Sequence, residues 1–197
     1  MIKNYSQAGQ DIFVLSLFNN TDQRYFVDIG CWVPTTLNNT MLLEENGWLG
    51  ISLDITDLSD DWKSRNTPFI VGDALKVDYK KLFDDCKLPN IIDYLNIDIE
   101  GKGDRFKTLN NVFLSDRDFK VITIEHDSYR GLEEFESKPQ RDFLLKKGFV
   151  LLCSNVKLSN NPFEDWWINP NYFSIDDYKH LISNDLEYTD IIKKIKL

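Results

Sequence analysis

Histidine, cysteine, basic residues and long apolar runs are all in short supply, and each shortage closes a route. Three cysteines, Cys31, Cys86 and Cys153, lie far apart, and no C-x-x-C pair occurs. A disulfide framework and a zinc knuckle are therefore not indicated, and reduced thiols in a cytoplasmic setting are expected. No run approaches the length of a membrane span, and Met1–Gln7 has no apolar signal core, so a soluble intracellular protein is expected, with no membrane partner. Lys and Arg number 23 against 32 Asp and Glu, which leaves a net charge of −9. A nucleic-acid backbone would be repelled by most of such a surface, so no nucleic-acid partner is expected. Repeats, low-complexity segments and linkers are missing too, which points to one domain over residues 1–197.

Aromatic residues are plentiful: 13 Phe, 8 Tyr and 5 Trp in 197 residues argue against disorder and for a sizeable core. Apolar runs alternate with helical patterns along the chain. Strands are expected over 25–29, 48–54, 68–73, 91–101, 119–127 and 149–153, with an antiparallel strand at 163–168. Between them helices are expected at 36–46, 57–64, 78–85, 105–114 and 137–147. A leading helix, about 6–18, precedes a polar break at 19–23. A C-terminal helical segment, about 175–195, ends in the basic run Lys193–Lys196, read as a solvated helix end. This rhythm predicts an α/β, Rossmann-like, doubly wound sheet of seven mostly parallel strands, the last antiparallel, with helices on both faces.

The strands share an ending. Phe26-Val27-Asp28-Ile29-Gly30 closes in an acid and a glycine, and Asp54, Asp73, Asp98 and Glu125 stand at the ends of later strands. Right-handed crossovers put all these ends at one rim, where α/β sheets bind ligands. Each acid alone could be a helix cap; a row of them points to a ligand. A dinucleotide needs three glycines after the first strand, but Gly30 is followed by Cys31-Trp32-Val33-Pro34, so a pyrophosphate does not fit. Asp54 suits a ribose diol, and Asp73, with Ala74 beside it, suits an adenine amino group. Together they describe an adenosine whose other end carries an amino acid.

Several stretches resemble those of the FkbM-type methyltransferases, within the class I S-adenosylmethionine-dependent group. They are Ser6–Asp11, Phe26–Gly30, Asn39-Thr40 with Leu43-Glu44, Gly47–Ile51, Asn96–Gly101, Ile124–His126 and Phe163–Trp166. The resemblance covers Ser6 to about Pro170 and implies O-methylation, often of sugar hydroxyls, with S-adenosylmethionine as donor. It implies cofactor contacts at Gln7 and Gln10, a methionine-holding loop at Asp28 and Gly30, and carboxylate or loop contacts at Asn39 and Thr40. Asp54 and Asp73 resemble the ribose and adenine acids. The family usually carries Gly-x-Glu after the acid pair of the fourth strand, whereas this chain has Gly101-Lys102-Gly103-Asp104.

An alcohol acceptor needs help in losing its proton. His126, with Asp98 and Glu125, is the expected catalytic group, because a histidine titrates near neutrality. Asp98, Glu125 and Asp127 offer hard oxygen ligands for magnesium or manganese. Glu100, Glu164, Asp165 and Trp166 are expected to bind a small-molecule or glycan acceptor, with Trp166 and Trp167 as an aromatic floor. His180 reads as a surface residue. The competing readings are a nucleotide-dependent oxidoreductase and a non-catalytic binding module on the same fold.

Overall fold

Strand and helix alternate in the computed structural model, which describes residues 3–18 and 22–195. Asn19–Thr21 of the expected polar break, and Lys196 of the basic end, lie outside the described residues. In chain order the elements are α1 (Gln10–Ser16), β1 (Tyr25–Ile29), α2 (Met41–Glu45), β2 (Leu49–Asp54), α3 (Ser59–Trp62), β3 (Phe69–Val71), α4 (Tyr79–Asp85) and β4 (Ile91–Ile97). There follow α5 (Asp104–Val112), β5 (Asp118–Glu125), α6 (Ser137–Lys146), β6 (Val150–Leu158), β7 (Asn161–Ile168), α7 (Ile175–Tyr178), β8 (Ser183–Asn184) and α8 (Tyr188–Ile192).

The sheet runs β3-β2-β1-β4-β5-β7-β6-β8. Strands β1 to β5 are parallel to their neighbours among themselves, and β7 is antiparallel to both β5 and β6. This is the expected doubly wound sheet with an antiparallel seventh strand. The chain reverses its winding between β1 and β4, and the crevice outside their carboxyl ends is the natural ligand site.

Apolar side chains cover both faces. On one face Ile29, Leu53, Ile97 and Ile122 pack with Phe83, Leu109 and Leu144 of α4, α5 and α6. On the other Phe26, Tyr94 and Val121 pack with Phe13 of α1. Strand alternation sends Trp166 and Trp167 to opposite faces, and each is fully buried. Phe13 stacks on Trp166 at 4.5 Å between ring centroids. The two tryptophans are therefore core, not the floor of an acceptor pocket.

Four helices are much shorter than the sequence suggests, α3 keeping only Ser59–Trp62 of the expected 57–64. Asp11 accepts from Tyr5 N at 2.9 Å and from Ser6 Oγ at 2.7 Å, which folds the chain back over the start of α1. Leu37 has φ of 54° and cannot be helical, and Asn38 organises the loop that follows, so α2 starts only at Met41. Asp185, with φ of 57°, breaks the expected C-terminal helix. Ser183 and Asn184 pair with β6 there, which adds an eighth, two-residue strand. Among the described residues no helix is long and apolar enough to cross a membrane.

Candidate functional site

Three loops meet at the β1–β4 switch point. Gly30 N donates to Leu53 O at 2.8 Å, and Asp98 N donates to Ile29 O at 2.9 Å. Gly30 has φ of 83°, and a Cβ there would overlap the carbonyl oxygen of Asp98. Only glycine lets these backbones approach so closely. Beside them opens a cleft of about 800 Å³. Asp28, Asp54, Asp73, Asp98, Glu100, Asp104 and Glu125 line it, against a single cation among the described residues, Arg130. Gln7, Gly30, Asn39 and Ala74 line it as well.

Each wall is built by local hydrogen bonding. Asp54 accepts from Trp32 N at 2.9 Å and from Thr56 N at 2.8 Å, which ties the β1 loop to the end of β2. Each of its oxygens keeps a lone pair for a further donor. Asp73 accepts from Leu75 N at 3.0 Å and pairs with Lys76 at 2.8 Å; that lysine holds its carboxyl below the ordinary range. Asp28 is buried and accepts from Asn96 Nδ2 at 2.9 Å and Thr40 Oγ1 at 3.0 Å. Burial pushes its pKa up to about 6, against the pull of those two donors. Asn39 is only 6% exposed, and its Oδ1 has no hydrogen-bond partner.

The far wall holds two neighbouring carboxyls, Asp98 and Glu125, whose like charges oppose one another. Burial, and for Glu125 the Asp98 charge as well, raises both above the usual carboxylate range. Behind them Arg105, buried in the first turn of α5, bonds Glu125 and sits 3.0 Å from Asp127 and 3.9 Å from Glu136. Glu136 in turn accepts from Gly103 N at 2.6 Å and Phe106 N at 3.2 Å, capping α5. Asp104 brings its carboxylate over Gly101 and into the cleft, so the departure from Gly-x-Glu shifts an acid without removing it.

Several expected site residues lie elsewhere. His126 is fully buried outside the cleft. Ser128 N and Oγ lie 3.1 and 2.9 Å from its Nδ1, and Asp165 Oδ1 is 3.4 Å from its Nε2. It is a packing residue under α6, not a base facing an acceptor. Asp165 is buried too; burial would raise its carboxyl, but Arg141 at 2.7 Å and His126 hold it below the ordinary range. Glu164 is buried against Gln10 and Trp166, whose Nε1 donates at 2.6 Å, and burial pushes it up to about 8. Glu164, Asp165 and Trp166 thus cannot touch an acceptor from where they stand. Gln10 accepts from Ala8 N at 2.8 Å and shapes the loop behind Gln7, and Thr40 supports Asp28 from behind.

The metal expectation does not fit. Asp127 is buried and paired with Arg105 and with Arg130, both at 3.0 Å. The Arg105 guanidinium stands where a cation would have to sit between Glu125 and Asp127. Among the described residues no three His, Cys, Asp or Glu side chains are arranged to hold a metal ion. Sequence reasoning missed Arg105, and also the collar of exposed side chains at the mouth: Leu37, Ile55, Tyr129 and Trp32, which is 58% exposed with φ of 45°. The signal for Arg105 was the row of acids itself, since buried like charges need a counter-ion.

Comparison with protein-family models and with curated protein sequences finds no match. Solved structures do share the architecture. A candidate O-methyltransferase from Klebsiella pneumoniae aligns with a TM-score of 0.55 at 14% identity, over 86% of this chain and 83% of its own. An uncharacterized protein from Listeria monocytogenes serotype 4b gives 0.52 at 13% identity, over 82% of this chain and 66% of its own. The fibrillarin/Nop5p complex gives 0.50 at 14% identity, over 83% and 81%. The fold is the Rossmann-like methyltransferase fold.

At such identities the likeness is one of fold, and the site must be argued from its residues. Three features of the cleft lining restrict what it can hold. Its β1 loop lacks the glycines that a diphosphate needs. Its acids suit a ligand rich in hydroxyl, amino and ammonium donors. Its inner wall carries a buried acceptor, Asn39 Oδ1, that has no donor of its own.

Proposed function

We infer that this chain is an S-adenosylmethionine-dependent O-methyltransferase of the FkbM type, acting on a hydroxyl of a small-molecule or glycan acceptor. The observation that carries the reading is the joining, in one cleft, of the Asp28–Asp54–Asp73 row and the Asp98–Glu125 pair. Bound S-adenosylmethionine supplies a methyl group already activated on a sulfonium. The protein's task is then to position, to exclude water and to manage one proton. Asp54 accepts from the ribose hydroxyls, and Asp73 and Ala74 flank the adenine. Gln7, Gly30, Asp28 and Asn39 surround the amino-acid end.

Asp98 takes the acceptor's proton in this reading, since it lies in the cleft and His126 does not. Burial raises its pKa above the ordinary carboxylate range and so toward neutrality, where a general base works best. Glu125 and Arg105 hold Asp98 in place. The acid lining favours a neutral acceptor such as a sugar hydroxyl over a phosphorylated one or a nucleic acid.

Calorimetric titration with S-adenosylmethionine tests the donor. Saturable binding is expected; a folded chain that takes up none ends the reading. Asp54→Ala should weaken that binding by about tenfold or more, the cost of two hydrogen bonds to a carboxylate. Equal affinity would remove Asp54 from the ribose role. A mass-spectrometric search for acceptors that gain one methyl group, over sugars, lipids and phenols, tests the acceptor class. In that assay Asp98→Asn should lose turnover while keeping the donor.

A further inference from the structure

A single turn after β5, Ser128–Arg130, carries two cleft-lining side chains that the S-adenosylmethionine reading leaves unused, Tyr129 and Arg130. The turn is held at both ends. Asp127 before it has φ of 46° and Gly131 after it φ of 73°, and Arg130 N and Gly131 N donate to Asp127 O and Ser128 O at 2.8 and 3.0 Å. From behind, Ser128 N donates to His126 Nδ1 at 3.1 Å, and the Asp127 carboxylate lies 3.0 Å from both Arg105 and Arg130. Strain at a left-handed aspartate persists only where surrounding bonds impose it, and it clusters at ligand sites. The sheet order puts the turn away from the nucleoside acids. β5 lies three strand spacings, about 14 Å, from β2 and its Asp54, with β1 and β4 between. Asp98 and Glu125 line the cleft at the same end.

The pair offers a ring face and hydrogen-bond donors. Tyr129 is 44% exposed. Its Oη accepts from Arg130 Nε at 3.0 Å and keeps its own proton to donate. The guanidinium, 5.4 Å from the ring centroid, can cover one face of the ring only. Arg130 Nη1 is taken by Glu100 at 3.2 Å and Asp127 at 3.0 Å, whereas Nη2 makes no hydrogen bond among the described residues. Two carboxylates already balance this one positive charge, so an anionic ligand gains little there and a neutral oxygen is the better match.

We propose that Tyr129 and Arg130 select the methyl acceptor, a neutral hydroxylated ring that lays one face on Tyr129, gives an oxygen to Arg130 Nη2 and turns a hydroxyl toward Asp98. The proposal rests on the reading of the cleft as a methyltransferase site and deepens it. An aromatic face covers the flat apolar side of such a ring, while guanidinium and phenol bind its polar edge. A pyranose and a catechol both have that shape. An open-chain alcohol has the hydroxyl without the face.

The test is a saturation-transfer NMR titration of the wild-type chain, Tyr129→Leu, Tyr129→Phe and Arg130→Gln, each in the presence of S-adenosylhomocysteine. The probes are the methyl glycosides of glucose, galactose, mannose and rhamnose, with catechol as a phenolic ring and butanol as a hydroxyl without a ring. The wild-type chain should take up at least one ring and hold butanol more weakly. Uptake of glycosides alone assigns the ring to carbohydrate, and of catechol alone to phenols; either supports the pair. Tyr129→Leu should weaken the bound ring by about tenfold or more, and Tyr129→Phe, which keeps the face, by about threefold at most. Arg130→Gln should weaken it by about fivefold or more. Calorimetry should find S-adenosylhomocysteine held by all three variants within about twofold of wild type, which also shows that they fold. Ring binding unchanged in Tyr129→Leu and Arg130→Gln overturns the proposal. So does butanol held as tightly as the rings, or an equal loss of S-adenosylhomocysteine in the variants. A wild-type chain that binds S-adenosylhomocysteine but no ring overturns the proposal and leaves the reading of the cleft standing. A wild-type chain that binds no S-adenosylhomocysteine overturns that reading, and the proposal with it.

Discussion

A methyl group added at Gly30 would sit on the Asp98 carbonyl, and no side-chain rotation can relieve a clash with backbone. The β1 and β4 ends would have to part, and φ of 83° would strain any L-residue. Gly30→Ala should therefore cost about 3 kcal/mol or more, read from urea denaturation. Gly30 was legible as a turn glycine because it follows an apolar strand and an acid. His126 was misread for a reason that alternation already contained. In an extended strand Glu125 and Asp127 share one face, which puts the residue between them on the other. The structure carries Ile122, Ile124 and His126 on the α6 side of β5, and His126 is sealed there by Asp165 and Ser128. His126→Gln should lower the denaturation midpoint while S-adenosylmethionine binding, measured by calorimetry, stays within about twofold of wild type. Loss of binding in the folded variant would return His126 to the site.

Strands were more legible than helices. A buried parallel strand is a near-continuous apolar run, and β1, β2, β4 and β5 begin and end within a few residues of those runs. Helices here take little of their stability from periodicity, so α2 and α7 shrink to a single turn wherever a left-handed residue or a side-chain turn competes. The α5 helix shows what pattern reading leaves out. Arg105 falls in its first turn, where a helical pattern allows an exposed side chain, yet it is 1% exposed and holds Glu125, Asp127 and Glu136 together. Removing the buried cation from this acid cluster leaves Glu125 and Glu136 with uncompensated charge, while Asp127 keeps only the half-exposed Arg130. Arg105→Met should cost about 3–5 kcal/mol, and adding Glu125→Gln should recover part of that loss. A double-mutant cycle in urea measures the coupling; strict additivity would show that the guanidinium and Glu125 act apart.

Across the whole molecule, buried acids set how stability responds to pH. Asp28 and Asp98 are pushed up to about 6 and Glu164 to about 8, in each case first by burial, and Asp11 and Glu136 are raised as well. A carboxyl whose folded pKa lies above its unfolded one keeps its proton in the native state and loses it on unfolding. Its contribution is complete below the unfolded value and disappears as pH rises through the folded one. For Asp28 that window runs from 3.8 to about 6, and for Glu164 from 4.5 to about 8. Asp165 and Glu44, whose carboxyls lie below their ordinary range, act in the opposite sense and only under about pH 4. Stability in urea should therefore peak in mildly acid solution, near pH 5, and fall as pH rises to about 8. Glu164→Gln keeps an acceptor for Trp166 Nε1 without an ionisable group, and should flatten the fall between about pH 6 and 8 most of all. A profile that rises with pH across that interval, or one that Glu164→Gln leaves unchanged, would mean that Glu164 is ionised in the native core. The negative charge on β7, inside the sheet between β5 and β6, would then be compensated by a group other than those that surround it here.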